Sequence, residues 1–154
     1  EDVCEKFIKP FTESCKLSVC DMLAEAKDDD VGRAEVFISH AWAYHFHDLV
    51  ETLLSHFQGK EDPFLWIDIF SVNQHKETNS EWWMTSFQEA ISMIGHCILV
   101  LDTFLSPLPL SRVWCVFEMY ASVVTNNSFE IILFPGEEEN LKFQLERLMN
   151  LPNA

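Results

Sequence analysis

Four short apolar runs limit what this chain can fold into: Glu35 to Ser39 (EVFIS), Phe64 to Ile69 (FLWIDI), Cys97 to Leu101 (CILVL) and Glu130 to Phe134 (EIILF). They are nearly continuous rather than alternating, as strands covered on both faces require. Their starts fall about every thirty residues, close to the length of a strand, a helix and two loops. The spacing therefore predicts parallel βαβ units.

Between the runs the period changes to that of a helix. Phe46, Leu49, Val50, Leu53, Leu54 and Phe57 form one stripe, ended by Gly59. Trp83, Phe87, Ala90, Ile91 and Ile94 form a second, ended by Gly95; Val113, Val116, Phe117, Tyr120, Ala121 and Val124 form a third. A fourth helix is predicted from Leu141 to Leu151, after the Pro135-Gly136 turn and an acidic first turn that suits the helix dipole. The whole reads as an open three-layer α/β sandwich. Ahead of it, Phe11 to Lys27 carries a helical stripe and Asp28-Asp29-Asp30 a solvated charge run. Residues 1–33 are expected to be an N-terminal helical extension and connector, and residues 34–154 the main domain.

A length of 154 residues with 48% apolar content supports one buried core and is short for two. The net charge of −15 argues against nucleic acid or an anionic membrane as a partner, since both demand clustered Lys and Arg. A nucleotide ligand would need a local cation, for which Arg112, Arg33, Lys76 and Lys60 are the candidates. The five cysteines form an odd set without CxxC spacing, as reduced thiols of a cytoplasmic protein would. No apolar stretch approaches the roughly 20 residues of a membrane span, and no signal peptide is visible. The chain starts at Glu1 rather than Met, as a fragment of a larger protein would.

In open parallel sheets ligands bind outside the carboxyl ends of the strands. The first run ends in Ser39-His40-Ala41-Trp42, the second in Asp68 and Ser71-Val72-Asn73-Gln74-His75, and the third in Asp102 and the loop to Arg112. Neither GxGxxG nor GxxxxGK[ST] occurs, which excludes a Rossmann dinucleotide site and a P-loop. No HExxH or paired CxxC is present, so no metal is expected. Cys115, between Trp114 and Val116, reads as inert core rather than as the thiolate partner of His40. In RVWCVFEMY, Trp114 and Glu118 are four residues apart and share a helix face. There a carboxylate can stabilise an oxocarbenium-like centre while the indole covers the sugar or the departing base.

VFISHAW, LWIDIFSVNQH, the WW…F..AI..IGHCILVLD stretch and LSRVWCVFEMY together resemble the Toll/interleukin-1 receptor (TIR) superfamily, in particular TIR-like domains of protist and fungal multidomain proteins. The resemblance runs from about Ala34 to Leu151. It implies a flavodoxin-like α/β fold, an open parallel sheet of four to five strands with helices on both faces, and, as in many members, cleavage of the nicotinamide–ribose bond of NAD. It places the catalytic glutamate at Glu118. Ser39, His40, Ala41, Trp42, Asp68, Arg112 and Trp114 would bind substrate. The second-strand loop, with Phe70, Asn73, Gln74, His75 and Trp82, would gate the site or form an interface. NAD is then the substrate, no separate cofactor is implied, and self-association through TIR surfaces in immune or cell-death signalling is the expected mode of action. The chain departs from some active relatives in carrying Ala41 and Trp42 where they place an arginine, and in ending before a fifth strand. The alternative is a non-catalytic TIR adaptor acting by homotypic interaction. A phosphoacceptor receiver with Asp68 at the strand end is a third reading, set back by the lack of an acidic pair after the first run.

Overall fold

The computed structural model of the chain describes residues 2–77 and 79–149. Its centre is a four-stranded sheet of β1 (Val36–Ser39), β2 (Leu65–Trp66), β3 (His96–Leu101) and β4 (Ser128–Leu133), in the order β2-β1-β3-β4. Every pairing is parallel. The architecture is the flavodoxin-like open α/β sheet, and the strand order reverses between β1 and β3.

The apolar runs are continuous because successive side chains enter two different cores. On one face Val36, Ile38, Ile98, Val100 and Ile132 pack against Leu49 and Leu53 of α3 (Phe46–Phe57). On the other, Phe37 and Cys97 meet Phe87 and Ile91 of α5 (Ser80–Ile94) and Ala121 of α6 (Val113–Val124). The pleat sends Ser39, two residues after Phe37, to that same second face. All four residues of β1 are buried, as a strand between two helical layers must be.

Helices form where the stripes predict them, but α6 buries Cys115, Glu118, Ala121 and Ser122, and Val113, Val116, Tyr120 and Val124 of its predicted apolar stripe are exposed. Asn79 accepts the Trp82 N–H at the start of α5. Gly95 ends it at φ +79°, a left-handed conformation that costs a residue without Cβ little. The last helix, α7 (Glu137–Met149), starts after Gly136; its predicted end at Leu151 lies outside the described residues.

Three expectations are corrected. The second run is a strand only over Leu65–Trp66, because Asp68 turns the chain into the short helix α4 (Asp68–Ser71). Its Oδ1 accepts the Ile69 N–H at 2.7 Å, and the Ser71 N–H returns to the Ile67 carbonyl at 2.9 Å. The helix predicted from Phe11 to Lys27 is broken as well. A wide helical turn over Cys4–Ile8 runs into α1 (Lys9–Phe11), the chain turns through Lys16 at φ +56°, and α2 (Val19–Glu25) starts afresh under a Ser18 cap. Finally, the fourth strand starts at Ser128 rather than Glu130, paired with His96.

Among the described residues there is no fifth strand, and the helical N-terminal segment does not supply one. That segment packs instead against the second-strand loop: Cys4, Ile8 and Val19 form a cluster with Ile69, flanked by Trp42 and Phe70. No helix of the described residues is long and apolar enough to cross a membrane.

Candidate active site at the reversal of strand order

A cavity of about 220 Å3 opens beside the carboxyl ends of the central strands, lined by His40, Trp42, Asp68, Trp83, Phe87, Arg112, Trp114, Cys115 and Glu118. Four elements build it. The turn after β1 delivers His40 and Trp42, the start of α4 delivers Asp68, the first turns of α5 deliver Trp83 and Phe87, and α6 with its N-cap delivers the rest. Indole and phenyl rings make the walls and ionisable groups sit between them.

Glu118 is 6% exposed, an unusual state for a carboxyl side chain. It lies on the inner face of α6, where Cys115, Ala121 and Ser122 are also buried. The Ser39 hydroxyl donates to Glu118 Oε2, so the last residue of β1 tethers the carboxylate across the sheet–helix interface. Burial pushes the Glu118 carboxyl up to about 8; the Ser39 hydrogen bond opposes the rise, the Asp68 charge adds to it, and Arg112 opposes it. Burial thus favours the protonated form of Glu118.

Asp68 faces a different environment. Its Oδ2 accepts the Trp42 indole N–H at 2.6 Å, its Oδ1 accepts the Ile69 N–H, and His40 Nε2 stands 3.9 Å from Oδ1. The cavity thus carries two carboxyl groups in contrasting settings, one held by donors and one buried. Arg112 is the only Lys or Arg lining it and makes no ion pair among the described residues. Burial pushes the Cys115 thiol up to about 12, and its S–H donates to the His40 carbonyl at 3.4 Å, the behaviour of core rather than of a nucleophile.

Of the residues read from sequence, His40, Trp42, Asp68, Arg112, Trp114 and Glu118 come together around this cavity. Ser39 lies behind Glu118 and is almost fully buried. Ala41 does not line the cavity. It points the other way, into a void of about 30 Å3 shared with Val3, Tyr44, Phe46, Leu49 and Ile69. Asp102 serves its own loop, accepting the Tyr44 O–H at 3.2 Å and the Leu108 N–H at 2.9 Å. Arg33 is exposed, and Lys60 sits over Phe57 at the end of α3.

The second-strand loop is tied to the N-terminal segment rather than to the cavity. His75 Nε2 is 2.8 Å from Thr12 Oγ1, Asn73 Nδ2 donates to the Lys16 carbonyl at 2.6 Å, and the Cys4 thiol donates to Gln74 Oε1 at 3.6 Å. Phe70 packs edge-on to Phe46, and Trp82 is exposed in a groove with Trp66, Lys76 and Glu77. Trp83 and Phe87 were legible only as part of an apolar stripe. Their place in the wall follows from where the first turns of α5 meet the sheet end.

Larger hollows of about 680 Å3 lie along the outer face of α5 and in the Trp66–Trp82 groove, but neither gathers buried ionisable groups. The one trio among the described residues with ligand atoms close enough to hold a metal is His47, Asp48 and Glu51, on the first turns of α3 and outside the cavity. Compared with protein-family models, with curated proteins and with solved structures, the chain matches none.

Proposed function

We propose that this chain is a TIR-like domain that cleaves the nicotinamide–ribose bond of NAD, as a glycohydrolase or ADP-ribosyl cyclase activated by self-association. The observation that carries the reading is Glu118, a buried carboxyl in a cavity walled by indoles at the reversal of strand order. Nicotinamide departs neutral from a pyridinium, so no general acid is required and one carboxylate suffices.

The C1′–N bond breaks and its electron pair leaves with nicotinamide. The ionised Glu118 stabilises the ribosyl cation; the oxygen of water, or a nucleophilic group of the same substrate in cyclisation, bonds to C1′, and the proton which that group then loses passes to Glu118, which returns it to solvent. A cationic pyridinium entering beside Glu118 favours the ionised form that burial disfavours, so substrate binding itself would arm the carboxylate. Arg112 would meet a phosphate, and the indoles of Trp42, Trp83 and Trp114, which line the cavity, would pack against the cationic ring.

Self-association has its own support. Opposite the buried side of α6, Val113, Val116, Tyr120 and Val123 form an exposed apolar stripe without a charge, on a chain whose net charge is −15. That stripe equally favours the second reading, a non-catalytic adaptor module in the same signalling context. The two separate by following nicotinamide release from NAD with the protein free and clustered on a surface. Release that disappears in Glu118→Ala supports the enzyme, with a loss on the order of 3 kcal/mol or more in the barrier. Inertness in both formats leaves the adaptor.

A further inference from the structure

The size of the cavity and the charge around it limit how much of a dinucleotide can be held. At about 220 Å3 it falls below the roughly 300–1,000 Å3 of pockets that enclose a drug-sized ligand. A pyridinium ring and its ribose are commensurate with that space; a dinucleotide is about twice the length. Among the described residues Arg112 is the only Lys or Arg in the lining, enough for one phosphate, and with a net charge of −15 each further phosphate meets a repulsive field.

Neither hollow that shares lining with the cavity suits the distal half. The one beyond His40 and Trp42 holds only about 30 Å3, and the groove with Trp66, Trp82 and Lys76 shares only Phe87 with the cavity. Trp83 packs edge-on against Phe87 at 4.9 Å, so rings partition the two hollows. Lys76 stands in that groove with Asp21 and Glu77, which oppose a phosphate there.

We infer that the cavity takes a pyridinium riboside 5′-phosphate as a complete substrate, with Arg112 on its single phosphate, and that the adenylate half of NAD gains no contact of consequence from this chain. The inference rests on the bond cleavage proposed above and names its substrate class. In the mononucleotide the same C1′–N bond breaks, nicotinamide keeps the electron pair, water supplies the new oxygen at C1′ and the proton passes through Glu118; the products are nicotinamide and ribose 5-phosphate. Remote groups that make no contact contribute nothing to the transition state, so removing them costs little rate.

The test compares nicotinamide release from NAD, nicotinamide mononucleotide and nicotinamide riboside by the full chain clustered on a surface. The value of kcat/KM for the mononucleotide is expected within about tenfold of that for NAD. In Arg112→Ala the ratio of mononucleotide to riboside kcat/KM should fall by about tenfold, and Arg112→Lys should recover part of it. A preference for NAD beyond tenfold, or a ratio unmoved in Arg112→Ala with release intact, overturns the inference while leaving the cleavage reading standing. Release from none of the three substrates overturns the cleavage reading itself and this inference with it.

Discussion

Replacing Glu118 by Gln should remove the carboxylate proposed to be catalytic and stabilise the fold, increasingly so as pH rises. Gln keeps the volume and an acceptor for the Ser39 hydroxyl, so the change isolates ionisation. Burial raises the Glu118 carboxyl from 4.5 to about 8, so between those values the native chain binds a proton that the unfolded chain releases. Wild-type stability therefore falls as pH rises through that window, by about 1.4 kcal/mol per pH unit. Relative to a neutral side chain the penalty is about 2 kcal/mol at pH 6 and about 5 kcal/mol at pH 9. Against a net stability of roughly 5–15 kcal/mol for a domain, the alkaline figure is large. Denaturant unfolding of both proteins at pH 6 and pH 9 measures it, and subtracting one protein from the other cancels the titrating groups that do not interact with residue 118. The advantage of Glu118→Gln should grow by about 3 kcal/mol between the two pH values. An advantage equal at both would refute the burial of a raised carboxyl at this position.

Three further perturbations have opposed or separable outcomes. Ser39→Ala removes the bond that holds the Glu118 pKa down, so the pH dependence of kcat/KM for nicotinamide release, which should rise through about 8 in the wild type, should move alkaline. Asp68→Asn removes the neighbouring charge that holds it up, so the same profile should move acid. Ile69→Ala opens the cluster that Cys4, Ile8 and Val19 share with the second-strand loop and should cost about 2–5 kcal/mol in unfolding free energy.

The sheet was legible because a strand between two helical layers needs apolar side chains on both faces, which leaves unbroken runs such as CILVL and EIILF. The second strand was overread because its polar residue, Asp68, is also a helix initiator, and the backbone followed the carboxylate into α4. Trp114 and Glu118 were legible as a pair because helix periodicity is local. Trp83 and Phe87 were not assigned to the cavity, since only the tertiary arrangement brings the start of α5 to the strand ends. The partners of Asn73, Gln74 and His75 in the N-terminal segment were not legible, because they lie 57 to 70 residues away in sequence, beyond the reach of any spacing rule.

The account rests on Glu118 being a buried carboxyl that a pyridinium ligand converts to the ionised form. Carbon-13 titration of the glutamate carboxyl signals, with the Glu118 resonance assigned by its loss in Glu118→Gln, tests this directly. In the free protein that signal should titrate near 8, and saturating nicotinamide mononucleotide or NAD at low temperature should move its midpoint downward. A Glu118 signal that titrates near 4.5 and ignores both ligands would contradict the site and the chemistry proposed for it.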